Sequence, residues 1–222
     1  QQDGVSSGMV ATIQFQDQSF KIMLPGVLGR HHLYGPLAAI TVAAAEGRSL
    51  AGAAEVFAEH ASPPGRMRML KGKDGVVLID DTYNASPAAV GAGLDALELL
   101  PKEKKRVVIL GDMMELGSFS AEAHRMVGEH VAKVAHVFIA VGVRMRGAAE
   151  AAEAENMHCA IHTVRTVEDA IGLLSDVVGE GSLVYVKGSQ SMRMERVVEE
   201  LLAESEHAKE LLVRQEKERK ER

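Results

Sequence analysis

From Gly75 onward one pattern repeats: a run of about five apolar residues, then a helical stretch. The runs lie at 76–79, 106–110, 136–141, 159–164 and 182–186. Between them, Val90, Leu94 and Leu97 share one helical face. So do Val127, Val131 and Val134, then Ile171, Leu174 and Val178, and finally Val197 and Leu201. Thr166 and Asp169 have the spacing of a capping pair that opens a helix. Strands apolar on both faces and linked by helices imply a parallel sheet covered on both sides. The crossovers should be right-handed. Residues 75–205 are therefore expected to form an α/β, doubly wound, mostly parallel domain of ordinary size.

The residues before Gly75 read differently. Apolar positions alternate on either side of a polar turn at Gln16-Asp17-Gln18, predicting two short strands within 9–28. An alanine-rich helix over 33–47 should end at Gly47, and a second should run from about Leu50 to His60. Ser62-Pro63-Pro64-Gly65 then breaks the chain. The predicted organisation is a first part over 1–66, a hinge at 67–74, the doubly wound domain over 75–205, and a charged tail over 206–222. Its mixed charges predict a fraying, solvated helix for that tail.

Composition removes several function classes. A formal net charge of −6 gives nucleic-acid binding no electrostatic support. The single cysteine, Cys159, excludes a disulfide within the chain and fits a reducing compartment. No apolar run is long enough to span a bilayer, and no basic-then-apolar signal opens the sequence. A cytoplasmic protein without membrane insertion is expected. The sequence begins QQDGVSSG with no initiating methionine, which suggests a piece of a longer protein.

In a doubly wound sheet, ligands bind just beyond the carboxyl ends of the strands. That rule selects Asp80–Ser86, the segment 111–117, Gly142, and 187–189. In the first, IDDTYNASP, an apolar run stops at two adjacent carboxylates. A turn with a helix cap is one reading, since Asp and Gly favour turns; a ligand site is the other. Other candidates are weaker. The segment 91–96 fits a dinucleotide fingerprint formally but lies inside a helical pattern. No phosphate loop of the Gly-x-x-x-x-Gly-Lys-Ser/Thr type occurs. His31 and His32 are adjacent and lack matching metal ligands nearby. His158 and His162 flank Cys159 on an expected strand, where core or edge histidines are the plainer reading. The methionines read as packing residues.

Six segments together resemble the Mur ligases of peptidoglycan synthesis: LGRHHLYGPLAA (28–39), PPGRMRML (63–70), IDDTYNASPAAV (79–90), ILGDMMELG (109–117), EAHRMVG (122–128) and VKGSQSMRME (186–195). The match is nearest to the member that adds D-alanyl-D-alanine, and runs in order from about residue 24 to 202. The resemblance implies the end of a central ATP-binding domain followed by a Rossmann-like C-terminal domain. It implies ATP and Mg2+ as cofactors, with the phosphate loop and metal ligands upstream and no metal ligand in this chain. It implies UDP-MurNAc-peptide and D-Ala-D-Ala as substrates, joined through an acyl phosphate, and an isolated piece that is inactive.

Residue roles follow from the same resemblance. Arg66 would reach the γ-phosphate, and with Lys187 would carry the chemistry. His32, Asp81, Tyr83 and Asn84 would line the nucleotide, Asp81 at the ribose. Asp112, Glu115, Lys187 and Ser189 would face the peptide substrate; Asp80 would shape the turn and His124 would be structural. The sequence departs from the family pattern at His32 and Gly35, where asparagines are usual, and at Gln190, where an arginine is. Those departures leave a second reading, a non-catalytic Rossmann-like binding module. A central-domain remnant cut from its sheet would also expose apolar surface, and self-association is one way of covering it.

Overall fold

The computed structural model describes residues 8–155 and 158–215. It opens with an antiparallel hairpin, β1 (Gly8–Phe15) and β2 (Gln18–Pro25), in register from Gly8↔Pro25 to Phe15↔Gln18. Helices α1 (Tyr34–Ala45) and α2 (Leu50–Glu55) cover one face of it. Ile22, Leu24, Val27, Ile40 and Leu50 form the small core between them. The other side of the hairpin exposes the cross-strand pair Val10 and Met23. The second expected helix is shorter than its pattern suggested, tightening into a 3-10 turn over Val56–Glu59.

The remaining strands are β3 (Arg68–Lys71), β4 (Val77–Asp81), β5 (Arg106–Gly111), β6 (Val137–Val141), β7 (Ala160–Val164) and β8 (Leu183–Lys187). They form one six-stranded sheet in the order β3-β4-β8-β5-β6-β7. All its pairings are parallel except β3–β4. The alternating helices are α3 (Pro87–Glu98), α4 (Ser120–Val134), α5 (Met145–Glu155), α6 (Val167–Val177), α7 (Glu195–Leu201) and α8 (Ala208–Leu211). Successive side chains in a strand face opposite cores: Val108 and Leu110 meet α3, α4 and α5, while Val107 and Ile109 meet α6 and α7. The Thr166–Asp169 capping box is present at α6.

Two segments differ from expectation. The segment expected as a hinge contains β3, whose four residues include two cations at its ends; a strand that short leaves no periodic signal. The hairpin is tied to it where Val27 bridges Arg68 and Met69 N–H donates to Gly26 O at 2.9 Å. The expected solvated tail is, over 208–214, part of the folded body. Ala208 and Leu212 pack on the α7 side of the sheet, and Arg214 is buried. Apolar residues among charges were enough to dock it. Residues 216–222 of that tail lie outside the described residues.

The fingerprint-like glycines lie inside α3, as the helical pattern required. Gly93 has a packing reason: a Cβ there would come 2.0 Å from the Tyr185 hydroxyl oxygen, and Tyr185 is fully buried. Gly93→Ala should therefore destabilise the chain by about 1–3 kcal/mol, although alanine favours helices. Urea denaturation tests this, and a stability equal to or above wild type would contradict it.

Candidate functional site

β4 and β8 end side by side, with Asp81 opposite Lys187 in register. Both side chains are buried, and Lys187 Nζ lies 2.6 Å from Asp81 Oδ2. Lys187 also donates to Asp81 O at 3.3 Å and Asn84 O at 2.8 Å. The hydroxyl of Tyr185 donates to Asp81 Oδ2 at 3.2 Å, and Met67 N–H donates to Oδ1 at 3.2 Å. Both oxygens of Asp81, expected at a ribose, are thus engaged within the protein. Burial raises the Asp81 carboxyl and lowers the Lys187 amine, each opposed by the other's charge.

Asp80 points to the other side of the strand and shapes the turn. Its Oδ1 accepts from Thr82 N–H (3.2 Å) and the Thr82 hydroxyl (2.6 Å), and its Oδ2 accepts from Gly65 N–H at 2.9 Å. The paired carboxylates thereby hold the backbone on both sides of Arg66: Asp80 grips Gly65 and Asp81 grips Met67. Both gripped residues turn left-handed there, Gly65 at φ 70° and Met67 at φ 51°. The exposed Arg66 guanidinium lies over the Tyr83 ring, 4.1 Å from its centroid. Among the described residues it makes no ion pair.

His31, His32, Arg66, Asp81, Tyr83, Asn84 and Lys187 line one cavity of about 450 Å3. The two histidine rings lie 4.4 Å apart. Burial, then His31, His60 and Arg66, pushes His32 down to about 4, so its ring is neutral near pH 7. Its Nε2 is buried and has no hydrogen-bond partner among the described residues. The unpaired guanidinium on this cavity suits an anionic ligand.

Asp112, Glu115 and Ser189 do not line this cavity. Asp112, just after β5, is buried; its Oδ1 accepts from Met145 N–H at 2.7 Å, at the start of α5. Ser189 Oγ accepts from Met114 N–H (2.8 Å), and Ser189 N–H donates to Asp112 O (3.1 Å), lacing the ends of β5 and β8. Glu115 is exposed, with φ 63°. His124 is buried: Nε2 accepts from Met113 N–H at 3.1 Å and Nδ1 sits 2.7 Å from Ser120 O, which fits the Nδ1–H tautomer. Sequence reasoning missed Tyr185 as a partner of Asp81. A tyrosine in a buried strand needs a hydroxyl partner, and that was the available signal.

Asp80 makes stability pH-dependent in an unusual sense. Burial, ahead of the opposing hydrogen bonds from Thr82 and Gly65, pushes its carboxyl up to about 6 from 3.8. A raised pKa means that the native state holds the proton more tightly. The resulting stabilisation is fully present below the unfolded value and is lost as pH rises through about 6. The window is worth up to about 3 kcal/mol at ~1.4 kcal/mol per pH unit. His32 works the opposite way, so the Asp80 contribution is read from the difference between wild type and Asp80→Asn. Denaturation at pH 4 and pH 7.5 should show that difference moving toward the variant at the higher pH. A pH-independent difference would refute it.

Comparison with known proteins places this geometry. Residues 65–190, more than half of the chain, match the family model described as Mur ligase, glutamate ligase domain. The UDP-N-acetylmuramoyl-tripeptide–D-alanyl-D-alanine ligase of Escherichia coli is 32% identical over 200 residues, covering 88% of this chain and 42% of that protein. The Bacillus subtilis protein of the same name is 28% identical over 178 residues, covering 79% and 39%. The chain thus spans about two fifths of the length of the curated relatives it matches. Among solved structures, the MurF ligase of Thermotoga maritima in complex with ADP superposes with a TM-score of 0.74 at 25% identity, covering 94% of this chain and 45% of that one.

Proposed function

Because the chain belongs to the Mur ligase family, we propose that it works as the C-terminal part of an ATP-dependent ligase of peptidoglycan synthesis, joining D-alanyl-D-alanine to UDP-MurNAc-tripeptide. The observation that carries this reading is the cavity at the end of β4, which Arg66, without an ion pair among the described residues, lines together with His32, Tyr83 and Asn84. Those four residues would hold a nucleotide there. In such a ligase ATP supplies the phosphoryl group that makes the tripeptide carboxylate an acyl phosphate, which the dipeptide amine then converts to an amide with release of phosphate.

The roles of this chain's residues follow from their surroundings. Arg66 offers a planar cationic fork to phosphate oxygens. The neutral His32 ring offers a hydrogen bond to a base. Asp81 and Lys187 act from beneath: saturated by each other, they set the Met67 and Asn84 backbone that frames the cavity. Asp112 and Ser189 set the loop that presents Glu115 toward the peptide substrate. Closing this cavity against the rest of the ligase would exclude water from a hydrolysable intermediate. Among the described residues no group of three or more His, Cys, Asp or Glu is placed to hold an ion, so no step is derived for magnesium on this chain's residues. The exposed hairpin pair Val10 and Met23 is where that remainder, or a second copy, would pack.

The test is phosphate release by the complete ligase with ATP, magnesium and UDP-MurNAc-tripeptide, with and without D-Ala-D-Ala. Dipeptide-dependent release is expected. Its absence from folded protein would favour the second reading, a non-catalytic Rossmann-like module, which the internal engagement of Asp81 makes specific.

A further inference from the structure

We infer that Arg214 is a positioning residue that holds the β4–α3 loop, and with it Tyr83 and Asn84, at the wall of the nucleotide cavity. The inference rests on the ligase reading for what that wall binds. Its geometry is independent of it.

The loop leaving β4 carries backbone carbonyls that the sheet no longer pairs, and buried carbonyls need donors. Arg214 supplies them. Its Nη1 donates to Thr82 O at 3.2 Å, and its Nη2 donates to Tyr83 O. The same Nη1 lies 2.8 Å from Glu195 Oε2, on the first residue of α7. Glu195 is fully buried and also accepts from Arg193 Nε at 2.6 Å. The guanidinium is therefore anchored on one side by a fixed carboxylate, and its fork spans two successive carbonyls on the other.

Two further observations make this more than a tail resting on the surface. Arg214 adopts φ 57°, a left-handed conformation that a non-glycine residue takes only at some cost. Its neighbour Val213 backs Gly65: a Cβ on that glycine would meet Val213 Cγ1 at 3.1 Å. The segment thus touches both halves of the Arg66–Tyr83 contact, reaching Gly65 on one side and the Tyr83 carbonyl on the other. Tyr83 N–H in turn donates to Gly65 O at 3.1 Å.

A buried ion pair alone would make Arg214 merely structural. The two roles separate in Arg214→Lys. Lysine keeps the charge facing Glu195, but as a point donor it cannot span both carbonyls in the arginine geometry. Three readouts are needed on wild type, Arg214→Ala and Arg214→Lys. They are the thermal midpoint, KM for ATP and kcat in the complete ligase, and amide exchange at Tyr83 in this chain alone. Both variants should raise KM for ATP by about tenfold while kcat at saturating ATP stays within about twofold, since a misplaced loop weakens binding. Both should speed exchange at Tyr83, and Arg214→Lys, which keeps the charge facing Glu195, should lose less of the thermal midpoint than Arg214→Ala. Recovery of wild-type KM and exchange by lysine would overturn the inference, as would an alanine variant that loses only thermal stability. A wild-type ligase without dipeptide-dependent turnover would sink the ligase reading instead; the Tyr83 exchange would still decide whether Arg214 holds the loop.

Discussion

Lys187→Met should cost about 3–5 kcal/mol of unfolding free energy, and adding Asp81→Asn to it should restore most of that loss. The reason lies in how completely the pair is enclosed. The two side chains are 4% and 8% exposed, and Nζ sits 2.6 Å from Oδ2. Burial is the largest influence on both groups and works against the charged form of each, lowering Lys187 and raising Asp81 despite the contact between them. Such a pair contributes little net stability while intact. Removing the amine leaves a carboxylate with only the Tyr185 hydroxyl and Met67 N–H for compensation, and strands the carbonyls of Asp81 and Asn84. The side-chain amide that Asp81→Asn introduces can still accept from Met67 N–H without carrying a charge. Urea denaturation of wild type, both single variants and the double variant closes the cycle. A coupling below about 0.5 kcal/mol would show the two residues to be independent and the enclosed pair to be misread. The result also bears on the proposed chemistry, because an amine fixed by three oxygens would serve it by holding the cavity wall.

Long-range partners decided how much of this was legible. Five apolar runs alternating with 3.6-residue faces were sufficient for the doubly wound sheet, because four of the runs are buried on both sides, the edge strand β7 being partly exposed, and each helix is buried on one. The rim rule then led to 80–86, 111–117 and 187–189, where the structure does concentrate its buried polar groups. The turn-shaping role of Asp80 was legible, but its grip on Gly65 and the grip of Asp81 on Met67 were not. Their partners, Gly65 and Met67, stand 15 and 14 residues earlier. Nothing local distinguishes carboxylates that shape a turn from carboxylates that clamp a distant loop. β3 was hidden for a related reason: its pairing comes from β4, while its own four residues carry no period. Arg214 was hidden by its company, since a cation in a run of charges gives no sign that Glu195 waits for it in the core.

Arg66→Ala should reduce dipeptide-dependent turnover of the complete ligase by about 10²-fold or more, the scale of losing one preorganised charge at a developing anion. It should leave stability within about 0.5 kcal/mol, because the side chain is exposed, lies on the face of Tyr83 and makes no ion pair among the described residues. The size of the expected loss follows from preorganisation. Asp80 and Asp81 fix the amides on either side of Arg66, and Met67 is held in a left-handed turn, so the guanidinium is presented from a rigid base. Tyr83 then limits where the fork can swing. Water would have to be reorganised around a charge in any looser arrangement; here that cost is met when the chain folds. Arg66→Lys separates charge from shape. It keeps the cation and loses the planar fork, so it should recover only part of the rate, with the remaining deficit in kcat as well as in KM for ATP. Wild-type turnover in Arg66→Ala would remove Arg66 from the reaction. Full recovery by lysine would keep the charge and discard the fork, leaving the contact with Tyr83 as packing alone.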